Sequence, residues 1–520
     1  MFHSVRTMST VSNGQNSGSV TGVTPQSREY KQKAAPAKPV APARPVTPPQ
    51  PQSMPLSSDG SDSRVTFHAG EGVWLRGIPL SITRHAVVFE MYNPQVIPKL
   101  SESLGDFKII RQDKTVYAGH AVIRNLVNAG TKIVCEAALE EASWSHALPS
   151  ADGAAKVDLK NDFTKFVGEW QKSFRVLPEY KLIIADLLTF LSDMRLWLDQ
   201  IESGIRSAPL AKQAALEVEA IDQLRGPVIA SLNNMFEPFE ILADKIPKDL
   251  QASHRSYGQR LLHPYLLCAP FINRCYTKPL GYAGDYEMMN MIVRNKLEGG
   301  SLYAKLVNQY LLDQIGPMAV RGRVDFLHGK IVAETSRISR TGRKAKIFCI
   351  ACGPAWEAVN FIAGHPLADK ADFRFLDFNE ETLRYTTGKV NEVKRQNQRK
   401  TSVEFVRNSI QNLLRGKDTK PEFDLIYCSG LYDYLSDAVI LAANTNLYDR
   451  LNPGGRLVVG NFAPALPVRN FIEHFLEWFL IYRNSQEMLA LSPSQASKDD
   501  CMVRAEPTGT NIFLEAHKPE

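Results

Sequence analysis

The run Lys346–Ile362, KIFCIACGPAWEAVNFI, constrains this chain most, because it reads as a buried strand passing through a tight turn into a helix. A second strand with an acidic end, FRFLDFNEETL, follows it and carries Asp377. In a doubly wound α/β sheet the first strand-to-helix turn brings backbone close to the ligand. An acid about 20 residues later bonds ribose hydroxyls, and Asp377 stands at roughly that distance from Gly353. Three more apolar runs continue the sheet. VEFVR (Val403–Arg407) ends at Asn408-Ser409, FDLIYC (Phe423–Cys428) ends at Ser429-Gly430-Leu431, and RLVVGN (Arg456–Asn461) follows the turn Leu451-Asn452-Pro453-Gly454-Gly455. Such runs are buried parallel strands whose C-terminal ends form a ligand crevice. The tail CMVRAEPTGTNIFLEAHK reads as two strands around Thr508-Gly509.

A pyrophosphate site wants G-x-G-x-x-G, where bare backbone meets phosphate, and here only Gly353 is present, followed by Pro354. The run instead resembles motif I of class I S-adenosylmethionine (SAM)-dependent methyltransferases. Ala351, Gly353 and Ala355 take the glycine places and Cys349 stands where an acid is usual. The resemblance extends over about Lys346 to Lys518 and includes Asp424, the L-x-P-G-G turn and the closing hairpin. It implies SAM as cofactor, with Ala351, Cys352, Gly353 and Ser429 toward its methionine end. Asp377 would hold the ribose, Phe378 would pack on the adenine, and Asn408 and Ser409 would meet its edge. The alternative is another doubly wound fold without methyl transfer.

Upstream, RCYTKPLGYAGDYEMMNMI (Arg274–Ile292) sets tyrosines and an aspartate around two glycines, followed by methionines suited to an adaptable apolar pocket. The segments K-P-x-G-Y-A-G-D-Y, I-x-C-G-P-A-W-E and L-Y-D-Y-L together resemble bacterial proteins of 3-hydroxypalmitic acid methyl ester synthesis, over roughly His263 to His517. That resemblance implies methylation of a fatty carboxylate to make a quorum-sensing signal. Tyr282, Asp285, Tyr432, Asp433 and Tyr434 are then the catalytic candidates at the acceptor mouth. Arg274, Lys278 and Tyr286 are the candidates for substrate binding. A carboxylate is already nucleophilic and needs no general base, whereas Asp285 or Asp433 acting as a base would imply a hydroxyl or amine acceptor. The structural alternatives are packing of Tyr432 and Tyr434 at a helix start and capping by Asp433.

The 520 residues exceed one ordinary domain. We divide them into a Pro/Ser/Ala-rich tail (1–62) expected to be a disordered tether, a small antiparallel β-barrel (63–150), a helical section (151–262), and the methyltransferase domain (263–520) with an N-terminal helical cap (263–340). The fold class is thus multidomain α+β with a C-terminal doubly wound Rossmann-like sheet. Within the β region, SITRHAVVFEM resembles the second motif of PilZ domains, with Ser81, Thr83 and Ala86 in its key places. That implies cyclic di-GMP as a ligand, with Arg64, Arg76 and Arg84 as anion contacts, or else a docking or homo-oligomerisation module. The helical section's Trp170, Phe190 and Trp197 are expected in its core.

The formal charge of +6 over such a length, without a basic cluster interleaved with aromatics, argues against nucleic acid as a partner. No apolar stretch reaches about 18 residues, which with the polar N-terminus predicts a cytoplasmic protein. Seven cysteines form no disulfide framework; Cys268 and Cys275 are expected to be buried, and Cys349-x-x-Cys352 is not read as a metal site. Two further readings stay open: a protein methyltransferase, and a non-catalytic signalling protein that binds SAM or a cyclic nucleotide.

Overall fold

A computed structural model describes residues 63–69, 73–92, 96–111, 114–128, 132–140, 143–144, 160, 163–164, 167–168, 175–415 and 420–520. The tail 1–62 with its proline run, and Trp170, lie outside the described residues.

Period-two burial builds the first element. Strands β1 (Ser63–Ala69), β2 (Val73–Ile82), β3 (Ala86–Tyr92), β4 (Ser103–Arg111), β5 (Lys114–Asn128) and β6 (Lys132–Leu139) close into a barrel in the order β1-β2-β3-β6-β5-β4. Its interior centres on Phe67, Phe89 and Phe107, whose ring centroids lie 5.4–6.0 Å apart. Gly77 is required there, because a Cβ would meet the Phe89 ring at 2.6 Å. Thr83 closes the β2–β3 turn by bonding the Ala86 amide and carbonyl, both at 3.0 Å. Ser81 and Arg76 are exposed, and Arg64 and Arg84 are half-buried.

Two long helices follow, α1 (Pro178–Ser207), opened by a proline in its first turn, and α2 (Leu210–Ala243). Their apolar stripes pack with α3 (Gln251–Leu266), α4 (Pro270–Thr277), α5 (Tyr286–Arg294), α6 (Leu302–Leu312) and the start of α7 (Ile315–Ser339) in one core. Phe190 packs against that core, but Trp197 is exposed, on the solvent side of its helix. Cys275 is buried, whereas Cys268 lies exposed between α3 and α4, its thiol turned to the Tyr265 carbonyl.

The C-terminal sheet runs through β7 (Ala345–Ile350), α8 (Trp356–Gly364), β8 (Ala371–Asp377), α9 (Glu380–Gln396), β9 (Ser402–Arg407), α10 (Ile410–Arg415), β10 (Phe423–Cys428), α11 (Asp437–Asp449), β11 (Leu451–Phe462), α12 (Arg469–Phe475), α13 (Ser485–Ala490), β12 (Cys501–Ala505) and β13 (Asn511–His517). Its order is β12-β13-β11-β10-β7-β8-β9, with the last two strands forming an antiparallel hairpin at one edge. The direction of strand succession reverses between β7 and β10, which makes their carboxyl ends the expected crevice. The expected turn at Leu451–Gly455 is instead a bulge within β11, where the register with β10 shifts between Phe423 and Leu425. Asp424 sits at the opposite end of the sheet from the crevice and takes two bonds from Arg343, at 2.6 and 2.7 Å.

The barrel docks directly on this assembly. The Ser103 amide donates to the Gly281 carbonyl at 2.8 Å, and Ser101 Oγ donates to the Phe479 carbonyl at 2.8 Å. Among the described residues no helix is long and apolar enough to cross a membrane.

Candidate functional site

The turn after β7 places alternate residues, Ala351, Gly353 and Ala355, at φ near 50°, a conformation that costs a non-glycine residue energy and tends to mark functional turns. The end of β8 holds this turn. The Cys352 amide donates to the Leu376 carbonyl at 3.0 Å, and the Gly353 amide donates to Asp377 Oδ2 at 3.1 Å. Asp377 Oδ1 accepts from the Asn379 amide at 3.0 Å. The carboxylate is thus held by turn amides on both oxygens, and a carboxylate oxygen can accept more than one donor. Asp377 is 5% exposed. Burial pushes its carboxyl up, and the Asn379, Gly353 and Phe378 amides and the Lys99 ammonium oppose that shift.

Above the turn lies a cleft of about 1170 Å³, its open mouth included. Ala351, Cys352, Gly353, Asp377, Phe378, Asn408, Ser409 and Ser429 all line it, as do Tyr282, Tyr286 and Tyr434. Burial pushes the thiols of Cys349 and Cys352 well above their ordinary range. Tyr286 donates to Glu381 at 2.9 Å, and Tyr434 accepts from the Trp478 indole at 2.8 Å. Phe378 differs from expectation in its surroundings. The Lys99 ammonium lies 3.6 Å over its ring and Tyr282 packs 5.1 Å from its centroid, so both partners compete with an adenine for its faces.

Other candidates lie outside the cleft. Asp285 is fully buried as the N-cap of α5, accepting the Met288 amide at 2.8 Å, and Arg274 pairs with it at 2.9 Å. A carboxylate and guanidinium engaged in this way hold the Gly-Tyr-Ala-Gly loop in place. Lys278, at φ 45° and 2% exposed, donates to the Leu476 carbonyl at 2.8 Å; burial pulls its ammonium down to about 8. Tyr432 is fully buried and donates to Asn444 at 2.7 Å.

Asp433 faces a second, smaller chamber, lined largely by apolar side chains including Phe271, Ile292, Leu311, Leu466 and Leu476. This chamber shares Gly284, Met289, Val320, Arg323, Gly430 and Tyr434 with the cleft. Asp433 accepts the Phe462 amide at 2.6 Å, and its carboxyl is pushed up to about 7 by burial, against that amide bond and the Arg323 and Arg483 charges.

Sequence reasoning missed three charged residues of the cleft. Arg323 on α7 is 8% exposed at the boundary of cleft and chamber, and its Nη2 donates to Met289 Sδ at 3.2 Å. Among the described residues it has no carboxylate at ion-pair distance. Glu357, in the first turn of α8, accepts from the buried Tyr427 hydroxyl at 2.8 Å, with Cys349 bonded to the same hydroxyl. Burial pushes its carboxyl up. Lys99 comes from the barrel. Position after motif I gave a signal for Glu357; nothing local gave one for the other two.

Residues 281–509 match the model of a family described as "Putative methyltransferase". No curated protein matches the chain. Among solved structures the chain is similar to a possible exported protein from Bordetella parapertussis, at 15% identity over 57% of this chain and 97% of that one, with a TM-score of 0.37. It is also similar to magnesium protoporphyrin IX methyltransferase from Synechocystis PCC 6803 with bound SAH, at 12% identity over 39% of this chain and 87% of that one, TM-score 0.29. A third is the N-methyltransferase NodS from Bradyrhizobium japonicum WM9 with S-adenosyl-L-homocysteine, at 14% identity over 45% and 98%, TM-score 0.28. The matched residues, fewer than half of the chain, take in the turn after β7, Asp377 and six of the seven strands of the sheet.

Proposed function

We propose that the protein transfers a methyl group from SAM to the carboxylate of an acid with a long apolar body, of the 3-hydroxy fatty acid type. The observation that carries this reading is Arg323, a desolvated guanidinium without a carboxylate at ion-pair distance among the described residues, which lines both the cleft and the apolar chamber. Such a site suits an acceptor whose head is anionic and whose remainder is hydrocarbon. Asp377 would hold the cofactor's ribose, and Asn408 and Ser409 its adenine edge. Ala351, Cys352, Gly353 and Ser429 would hold its methionine end, with Glu357 in place of the acid that Cys349 replaces. Arg323 then aims a carboxylate oxygen at the sulfonium methyl, while Tyr434 and Met289 help exclude water. Alignment of this kind supplies up to roughly 7–11 kcal/mol in well-oriented models, and no proton need move.

Asp433 favours a second reading. A carboxyl near pH 7 facing the chamber is suited to act as a general base toward a hydroxyl. A series of acids of increasing chain length separates the two. Each buried methylene contributes about 0.8 kcal/mol, so kcat/KM for acids should rise about fourfold per carbon until the chamber is filled. Turnover confined to alcohols would establish the second reading instead. Cyclic di-GMP binding by the barrel stays a separate proposal, to be checked by direct titration of the full chain.

A further inference from the structure

The cofactor cleft is not made by the sheet and helices alone. The loop between β3 and β4 leaves the barrel and brings Lys99 and Leu100 into its lining. The part of that loop from Lys99 onward is fastened. Ser101, at φ 60°, donates to the Phe479 carbonyl at 2.8 Å and accepts the Phe479 amide at 2.5 Å. Beyond it, the Ser103 amide is bonded to the Gly281 carbonyl at 2.8 Å, in the loop that carries Tyr282. On the near side, the Lys99 amide donates to Glu102 at 2.6 Å. The Lys99 ammonium is thereby set 3.6 Å over the Phe378 ring, one residue from Asp377.

We propose that this barrel loop is a working part of the cofactor site, with Lys99 as the positioning residue that keeps the Asp377 carboxylate ready for the ribose hydroxyls. The inference rests on reading Asp377 as the ribose ligand. Lys99 is half-buried and Asp377 is buried, and each offsets part of the other's desolvation. Burial lowers the Lys99 ammonium and raises the Asp377 carboxyl, while their mutual attraction acts in the opposite sense on each. The other titratable groups facing this pair are Glu102 on the same loop, Tyr282 before α5 and Cys352 after β7. Burial keeps the last two neutral. Arg407, the register partner of Asp377 on β9, is paired with Glu380 at 3.2 Å, which leaves Lys99 as the cation that acts on Asp377. The barrel is therefore tied to cofactor affinity whatever it binds elsewhere.

The test is calorimetric titration of SAH into the full chain from pH 6 to 9, for the wild type and for Lys99→Met, Lys99→Arg and Asp377→Asn. Lys99→Met should weaken binding measurably at pH 7, and the loss should shrink as pH rises toward 9, where the carboxyl ionises without the ammonium. Lys99→Arg should restore neutral-pH affinity. Equal affinity of Lys99→Met and wild type at every pH, a uniform loss that Arg does not rescue, or tighter binding by the Met variant would each overturn the proposal. Wild-type binding that Asp377→Asn leaves unchanged would instead overturn the ribose reading on which it stands. Absence of any wild-type binding would overturn both.

Discussion

Replacing Arg323 by methionine tests the acceptor site, because its consequences for catalysis and stability have different signs. The guanidinium is 8% exposed, and its polar contact is a thioether at 3.2 Å. Asp433 and Glu357 lie in electrostatic range, although burial is the larger effect and pulls the guanidinium down. A desolvated cation that meets a substrate carboxylate contributes about 2–5 kcal/mol to that contact, judged by truncation of one partner. At about 1.4 kcal/mol per decade, kcat/KM for a long-chain acid should fall from about 30-fold to several thousand-fold. SAH affinity should stay within about twofold, since Arg323 is assigned to the acceptor. The melting temperature should hold or rise, because methionine fills similar volume without a charge to desolvate. Steady-state methyl transfer, SAH calorimetry and a thermal melt read the three quantities. A fall in SAH affinity matching the loss in kcat/KM would put Arg323 on the cofactor. A melting temperature many degrees lower would make it a structural residue, and either result refutes the argument.

Asp377→Ala should weaken SAH binding by about 10- to 100-fold, from the loss of about 1.5–3 kcal/mol of charged hydrogen bonding; equal dissociation constants would remove the ribose assignment. Asp285→Asn keeps an N-cap but loses the Arg274 pair. It should cost about 2 kcal/mol in a urea titration with SAH affinity unchanged, and a selective loss of turnover would return Asp285 to the reacting groups. Since the Asp433 carboxyl titrates at about 7, a general base there would make kcat/KM rise with pH to a plateau above that value. A carboxylate acceptor should instead give a flat profile through neutrality, with Asp433→Asn retaining turnover.

The sheet was legible because its central strands are apolar on both faces and end at small or polar residues. FDLIYC is buried at every position, and its end at Ser429 falls in the cleft. Ala351, Gly353 and Asp377 were legible for a related reason, since backbone geometry and spacing determine their meeting. Asp285 lies outside the cleft, and the cue for its place was present: an aspartate directly before a helical run is a standard N-cap. Its bond to the Met288 amide follows from local sequence alone. Tyr432 and Lys278 looked reactive by residue type, but burial and their carbonyl or amide partners decide their roles. Arg323 sits in VRGRVDFLHG, which reads as a polar helix turn, and Lys99 in PKLSESL, which reads as a surface loop. Their burial arises only when distant elements close over them, information that no local window contains.

Transfer of an isotopically labelled methyl group from SAM by the full chain, offered matched long-chain acids, alcohols and amines, measures the central claim most directly. Products would be resolved by mass spectrometry before and after mild base. The account expects label on the acids alone, as methyl esters that base removes. Label stable to base on an alcohol or amine, or found only on protein, would contradict it.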